Sequence, residues 1–170
     1  AGLGIVYHGA ETGSDKVMSE ISKGGTRSEC IETADKLRDA GITHSVMVLL
    51  GIGGDALSQV HAQETASMLT RMDPRFVGAL TTTLVPGTPL HASAERGVFK
   101  LPSPFDMLLE LRTIVAESAF TNTRFSCNHA SNYLPMRMDL PDDKDDVLNA
   151  LDRVIATADA RALKPEHLRG

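Results

Sequence analysis

Ser45-Val46-Met47-Val48-Leu49-Leu50-Gly51-Ile52-Gly53-Gly54-Asp55 is the stretch on which the fold turns. From Ser45 to Leu50 the side chains are almost all apolar, the pattern of a strand covered on both faces, and such strands belong to parallel sheets. The glycines end the run. Asp55 then stands where a helix cap belongs, ahead of Leu57, Val60, Leu69 and Met72 at helical spacing, and Asp73-Pro74 breaks that helix. Strand, glycine turn and long helix make one βα unit.

The same unit recurs on both sides. Upstream, about Gly4 to His8 reads as a strand, followed by a helix capped by Ser14 with Val17, Met18 and Ile21 on one face and Gly24-Gly25 as its stop. A second helix follows, with Thr26 and Glu29 at capping-box spacing, an apolar stripe of Cys30, Ile31, Ala34 and Leu37, and Gly41 as its end. Downstream, Phe76 to Val85 is a third strand. Ser103-Pro104 opens a helix that turns Leu108, Leu111, Ile114 and Val115 inward, and Arg124 to Asn128 is a short fourth strand. The last helix begins at Pro141, carries Asp142, Asp143, Asp145 and Asp146 in its first turns, where the macrodipole favours anions, and buries Leu148, Leu151, Val154 and Ile155. Residues beyond Asp159 read as a tail that needs something to pack on. The alternation predicts an α/β fold with a parallel sheet, and 170 residues suit one domain.

Composition narrows the function. A net charge of −5 and 4% aromatic residues leave no cationic, base-stacking surface, so nucleic acid is not expected as a direct partner. Apolar stretches such as Val46 to Leu50 and Val77 to Leu80 are far too short to span a bilayer, and no signal region opens the chain, so a cytoplasmic protein without membrane contact is expected. Two cysteines, Cys30 and Cys127, make no disulfide framework, which suits a reducing compartment. The chain starts inside its first strand, the expectation for a fragment of a longer protein.

In parallel βα folds the loops after the strands share one rim, where ligands bind. Here these loops are His8 to Ser14, Leu50 to Asp55, Leu84 to Leu90 and Ser126 to Tyr133, all rich in glycine, hydroxyl, amide or carboxylate groups. Glu11, flanked by small residues, could accept hydrogen bonds from a ribose diol or cap the following helix. Gly51-Ile52-Gly53-Gly54 lacks the spacing and lysine of a P-loop; it reads as a tight turn or as a bare strand end against which a flat ring can lie. Pro86-Gly87-Thr88-Pro89-Leu90 is a rigid turn, a ligand-positioning element or an architectural corner. Cys127 and His129 alternate like two metal ligands, but two ligands make no site, and a buried cysteine usually packs as a small hydrophobe. No metal site is assigned. Three-cysteine cluster, nucleophile-elbow and zinc-helix motifs are missing from the sequence.

These residues together resemble the second half of the barrel in radical S-adenosylmethionine enzymes, in the branch of tRNA methylthiotransferases and oxygen-independent coproporphyrinogen oxidases. The resemblance runs over about residues 3 to 100. It is carried by Gly9-Ala10-Glu11-Thr12-Gly13-Ser14-Asp15 with Lys23-Gly24-Gly25-Thr26, by the helix from Ser28 to Ala40 ending at Gly41-Ile42, by Leu50-Gly51-Ile52-Gly53-Gly54, and by Pro86-Gly87-Thr88-Pro89-Leu90. It implies a partial (βα) TIM-type barrel of about four parallel strands with flanking helices and a helical C-terminal extension. The barrel core would be 1–100, and 101–170 the last βα unit and tail. It implies a cofactor edge of Glu11, Gly13, Ser14, Leu50, Gly51, Val85, Pro86 and Gly87, and a substrate loop of Asn128, His129, Ser131, Asn132 and Tyr133 that would contact a small molecule. S-adenosylmethionine and a 4Fe-4S cluster would serve the parent, an oxidoreductase. The family's Cys-x3-Cys-x2-Cys loop follows a barrel strand this sequence does not contain, so the chain alone would hold no cluster and be inactive, its catalytic residues unassigned. Half a barrel would expose inner-face residues such as Val46, Val48 and Leu80 and self-associate to cover them. Two other readings compete: a small α/β enzyme using Glu11 as base on a phosphate-bearing substrate, and a non-enzymatic binding or assembly module.

Overall fold

The computed structural model describes residues 2–169. Its sheet has the order β1 (Ile5–Glu11), β2 (Thr43–Leu50), β3 (Phe76–Thr81), β4 (Thr123–Ser126), β5 (Arg137–Leu140). β1 to β4 run parallel, and β5 returns antiparallel to β4. The helices are α1 (Asp15–Glu20), α2 (Arg27–Asp39), α3 (Gly54–Met72), α4 (Pro89–Glu95), α5 (Pro104–Glu117) and α6 (Lys144–Thr157). Strands that follow one another in space as in sequence are the order of a barrel wall; a doubly wound sheet reverses at a switch point.

Register explains which face is covered. His44, Val46, Val48 and Leu50 of β2 align with Val77, Ala79 and Thr81 of β3, then with Phe125 and Met138, and all are buried. α2, α3, α5 and α6 lie side by side over this face. On the opposite face Tyr7, Met47, Leu49, Phe76, Gly78, Leu80, Arg124 and Arg137 remain partly or fully exposed. One-sided cover is the arrangement of a barrel wall, with the bare side inward. The expectation for Val46 and Val48 therefore needs correction: both point beneath the helices at 0% exposure, and the β2 residues on the other face are Ser45, Met47 and Leu49. Leu80 does lie on the bare face.

Capping chemistry sets the helix starts. Thr26 accepts from the Glu29 amide, and Ser103 with Asp106 completes a reciprocal capping box on α5, with Pro104 in its first turn. Other elements depart from expectation. β3 stops at Thr81 rather than Val85, and α4 follows the rigid turn, capped by Thr88 and opened by Pro89. β5 was not foreseen, since four residues are too short for alternation to stand out. α3 starts at Gly54 with Gly53 at its cap, two residues ahead of the expected cap at Asp55, and Val60 is 41% exposed; its buried stripe includes His61, Thr65, Met68, Leu69 and Met72. α6 begins at Lys144, so Asp142 lies before it and Asp143 at the cap position. The tail folds back, burying Leu163 and bonding the Lys164 amide to the Tyr133 carbonyl at 2.7 Å.

Candidate functional site

Because β1 to β4 are parallel, the loops after them open on one rim. The first starts with strain. Glu11 ends β1 at φ 66 beside an irregularity that pairs Gly9 with Met47 and Glu11 with Val48. A non-glycine residue in the left-handed region marks a place where backbone energy is held against local preference. The Glu11 carboxylate folds back against Gly9, so close that a Cβ there would lie 2.5 Å from its Oε1. Lys23 Nζ meets the same oxygen at 3.1 Å. Oε2 has no hydrogen-bond partner among the described residues. Glu11 does not cap α1; Ser14 occupies the cap position and Asp15 supplies the first-turn acid.

Beyond Glu11 the loop is anchored on α3. Thr12 Oγ1 meets His61 Nδ1 at 2.8 Å, and the Gly13 amide donates to Thr65 Oγ1 at 2.9 Å. A Cβ at Gly13 would collide with the backbone of Glu64 and Thr65. Glycine is therefore required there by helix contact. Ser14 Oγ is buried with no partner among the described residues, an unspent polar atom one residue past this contact.

The second loop is held from below by a buried acid. Leu50 is buried, and the Gly51 amide, at φ 82, donates to Glu110 Oε2 at 2.6 Å. Ser58 donates to Oε1 at 2.6 Å, and His61 Nε2 stands 3.8 Å away. Burial dominates both ionisable groups: it lifts the Glu110 carboxyl to about 7 against the pull of Ser58 and Gly51, and it depresses the His61 imidazole to about 4. Thr12, His61, Glu110 and Gly51 thus form one polar layer beneath two adjacent loops.

The third loop leaves Val85, Pro86 and Gly87 exposed, Gly87 at φ 85. Thr88 closes the turn by donating to the Val85 carbonyl at 2.8 Å and then caps α4. Leu90 and Ser93 of α4 face Lys16 of α1, Ile21 just beyond it, and Ile52 to Leu57 across a rim cleft of about 520 Å³. The segments following Glu11, Gly51 and Gly87 therefore share one concavity.

The fourth loop divides. Asn128 and His129 are exposed, whereas Ser131, Asn132 and Tyr133 are buried. Asn132 donates to the Ala79 carbonyl at 2.9 Å and accepts from Thr81 at 2.9 Å; Ser131 accepts from the Thr81 amide at 3.2 Å. These contacts dock the loop on the end of β3. The tail clamps it further: Arg169 stacks on Tyr133 at 3.6 Å and donates to the Ser131 carbonyl at 2.6 Å, and Tyr133 donates to Glu166 at 2.9 Å. Cys127 is buried, its thiol pushed up to about 11 by burial, while His129 turns its Nδ1 to Ser131.

No family model matches the chain, and no curated protein matches it in sequence. A solved structure does match in shape. It is Elp3 of the archaeon Methanocaldococcus infernus, with an N-terminal deletion. The two share 16% identity at a TM-score of 0.58, over 66% of this chain and 27% of the Elp3 chain. At that identity the likeness concerns the fold, and this chain spans about a quarter of the Elp3 chain's length. No helix among the described residues is long and apolar enough to cross a membrane.

Sequence reasoning singled out Glu11, Gly13, Ser14, Leu50, Gly51 and Val85 to Gly87; Glu11 and Leu50 end β1 and β2, the others follow β1, β2 and β3, and the walls of the rim cleft are the segments just beyond them. It passed over Glu110 and treated His61 as isolated. A signal existed: His61, Thr65, Met68 and Met72 keep helical spacing, so two polar residues interrupt the buried stripe of α3.

Proposed function

We propose that this chain is the C-terminal part of a radical S-adenosylmethionine barrel and supplies one side of its cofactor and substrate rim. The likeness to Elp3, a radical S-adenosylmethionine family member, supports that origin at the level of fold. One observation carries the reading furthest: Glu11, braced by Lys23 with Oε2 left over, stands beside the glycine turn that Glu110 pins at the end of the neighbouring strand. A carboxylate one strand away from a bare backbone edge suits the diol and the flat base of a nucleoside.

The donor set fits one partner and not the other. Glu11 Oε2 would accept from the ribose hydroxyls, and the unpartnered Ser14 hydroxyl lies on the same loop. Leu50 and Gly51 would offer backbone to the adenine, since Gly51 carries no side chain and its conformation excludes most others. Val85, Pro86 and Gly87 would close the third side. Asn128 and His129, the exposed half of the fourth loop, would face substrate, with Ser131, Asn132 and Tyr133 holding them in place. A 4Fe-4S cluster does not fit these residues: among the described residues no group of three or more candidate ligands converges, and Cys127 is sealed in the core. The cluster ligands belong elsewhere in the parent, and the chain alone would not turn over. Bound together in that parent, cofactor and cluster would supply one-electron chemistry, while this chain's part would be orientation and exclusion of water.

Calorimetric titration with S-adenosylmethionine and 5′-deoxyadenosine tests the reading. Binding that weakens about tenfold or more in Glu11→Ala is expected, the scale of a lost charged hydrogen bond. Binding indifferent to that substitution would overturn the site, and an encoding gene without a three-cysteine motif upstream would overturn the origin.

A further inference from the structure

The bare face of the sheet has a relief of its own. Register sets Gly9, Met47, Gly78, Ser126 and Arg137 in one row across the strands, all on the uncovered side. The row below it is Tyr7, Ser45, Phe76, Arg124 and Asp139, and the row above includes Leu49 and Leu80. From Gly78 through Ser126 the middle row has almost no height, so the sheet carries a trough beside Phe76 that ends at Arg137. Two strand spacings, about 10 Å, separate Gly78 from Arg137. The cleft here holds about 600 Å³ and also touches Tyr7, Ser45 and Arg124.

Charge decides what suits it. Arg124 is spoken for, since Asp139 accepts from its Nε and Nη2 at 2.9 and 3.3 Å. Arg137 makes no ion pair and no side-chain hydrogen bond among the described residues, and it is exposed. In a chain of net charge −5, an unneutralised guanidinium at the end of a shallow apolar trough stands out. Guanidinium forks match planar carboxylates and phosphate oxygens, and the Ser126 hydroxyl is the adjacent polar group on the floor.

We infer that this trough binds a small organic anion, its apolar body lying over Gly78 beside Phe76 and its carboxylate or phosphate head on Arg137. As a substrate assignment this rests on the function proposed above, because the bare face would be the barrel interior. As a binding site it rests on the sheet alone. A second copy of the chain could cover the same face; it would compete with the anion rather than require Arg137.

The test uses the full chain at low salt, titrated with phenyl phosphate, benzoate and neutral benzyl alcohol, and followed by ligand-observed NMR and sedimentation. One or both anions should bind a monomer, the tighter of the two naming the head group, and the alcohol should not. Arg137→Gln should weaken anion binding at least tenfold. Gly78→Val should abolish it without unfolding the protein, because a Cβ at 78 meets only Met47 Cγ, at an ordinary 3.6 Å. Glu11→Ala should leave anion binding unchanged, so loss of nucleoside binding and loss of anion binding can be told apart. No anion binding, equal binding of the alcohol, indifference to Arg137→Gln and Gly78→Val, or a dimer with this face sealed would each overturn the proposal.

Discussion

The two faces of one sheet have opposite characters. On the covered side Val46, Val48 and Phe125 sit at 0% exposure, packed by helices that the same chain supplies. On the bare side Tyr7 is 68% exposed, and Met47, Leu49 and Leu80 are half-buried. Alternate residues of a single strand thus meet opposite fates. Stability is concentrated on the first face, and the second, relieved of packing duty, is available for ligands or for the rest of a barrel.

The contrast is broken most directly in the core. Phe125→Ala should cost about 3–5 kcal/mol, the range for deleting a buried aromatic ring, whereas Leu80→Ala on the bare side should cost under about 1.5 kcal/mol. Urea unfolding of both variants checks this, and equal losses would mean the bare face is packed after all. Gly13→Ala belongs with the large effects, at about 3 kcal/mol, because the new methyl meets helix backbone that cannot step aside.

Titration sharpens the comparison, since the buried polar layer lies on the covered side. Glu110 holds its proton up to about 7 when folded, against an ordinary 4.5. The native state binds more protons in that window, so the contribution of Glu110 to stability is fully present below pH 4.5 and is lost as pH rises to 7. Glu110→Gln should therefore gain roughly 3 kcal/mol on the parent between those pH values, read from unfolding free energies. His61 and His44 run the other way. Burial depresses each to about 4, His8 and Arg38 adding to the effect at His44, so stability falls as pH drops from 6.5 through 4. Asparagine at either position should flatten the acid limb, and an unchanged limb would mean that side chain is not buried neutral.

A local effect concerns the tail. Arg169→Ala removes a stacked guanidinium and a hydrogen bond to Ser131, worth about 1–2 kcal/mol, and should loosen the fourth loop without unfolding the sheet. Hydrogen exchange should then rise at Ser131 to Tyr133 and stay unchanged at Val46 to Leu50. Uniform change would mean the tail braces the whole chain.

The legible parts were those written in local spacing. Thr26 and Glu29 lie three residues apart and Ser103 directly precedes Pro104, and both caps formed as those local signals predicted; the Ser103–Asp106 box appeared only in the structure. The rim was legible for a related reason, since glycines and prolines mark strand ends wherever they occur. α3 was partly legible: Leu69 and Met72 are buried as their spacing predicts, Leu57 is half-buried and Val60 exposed, and only packing shows that His61 and Thr65 also take the inner side. β5 was lost to its brevity, and α4 to a turn whose outcome depends on Thr88.

By itself, then, the amino-acid order determined the succession of strands and helices, most of their ends, and the glycine-rich loops at one edge, because caps, turns and periodicity act over three or four neighbours. The tertiary structure alone decided which face of the sheet would be bare, that Glu110 would hold the Gly51 amide across 59 positions, and that Arg137 would finish a trough begun at Gly78. Those outcomes depend on register and on helices closing over one side, contacts between residues far apart in the chain whose pairing no local pattern encodes.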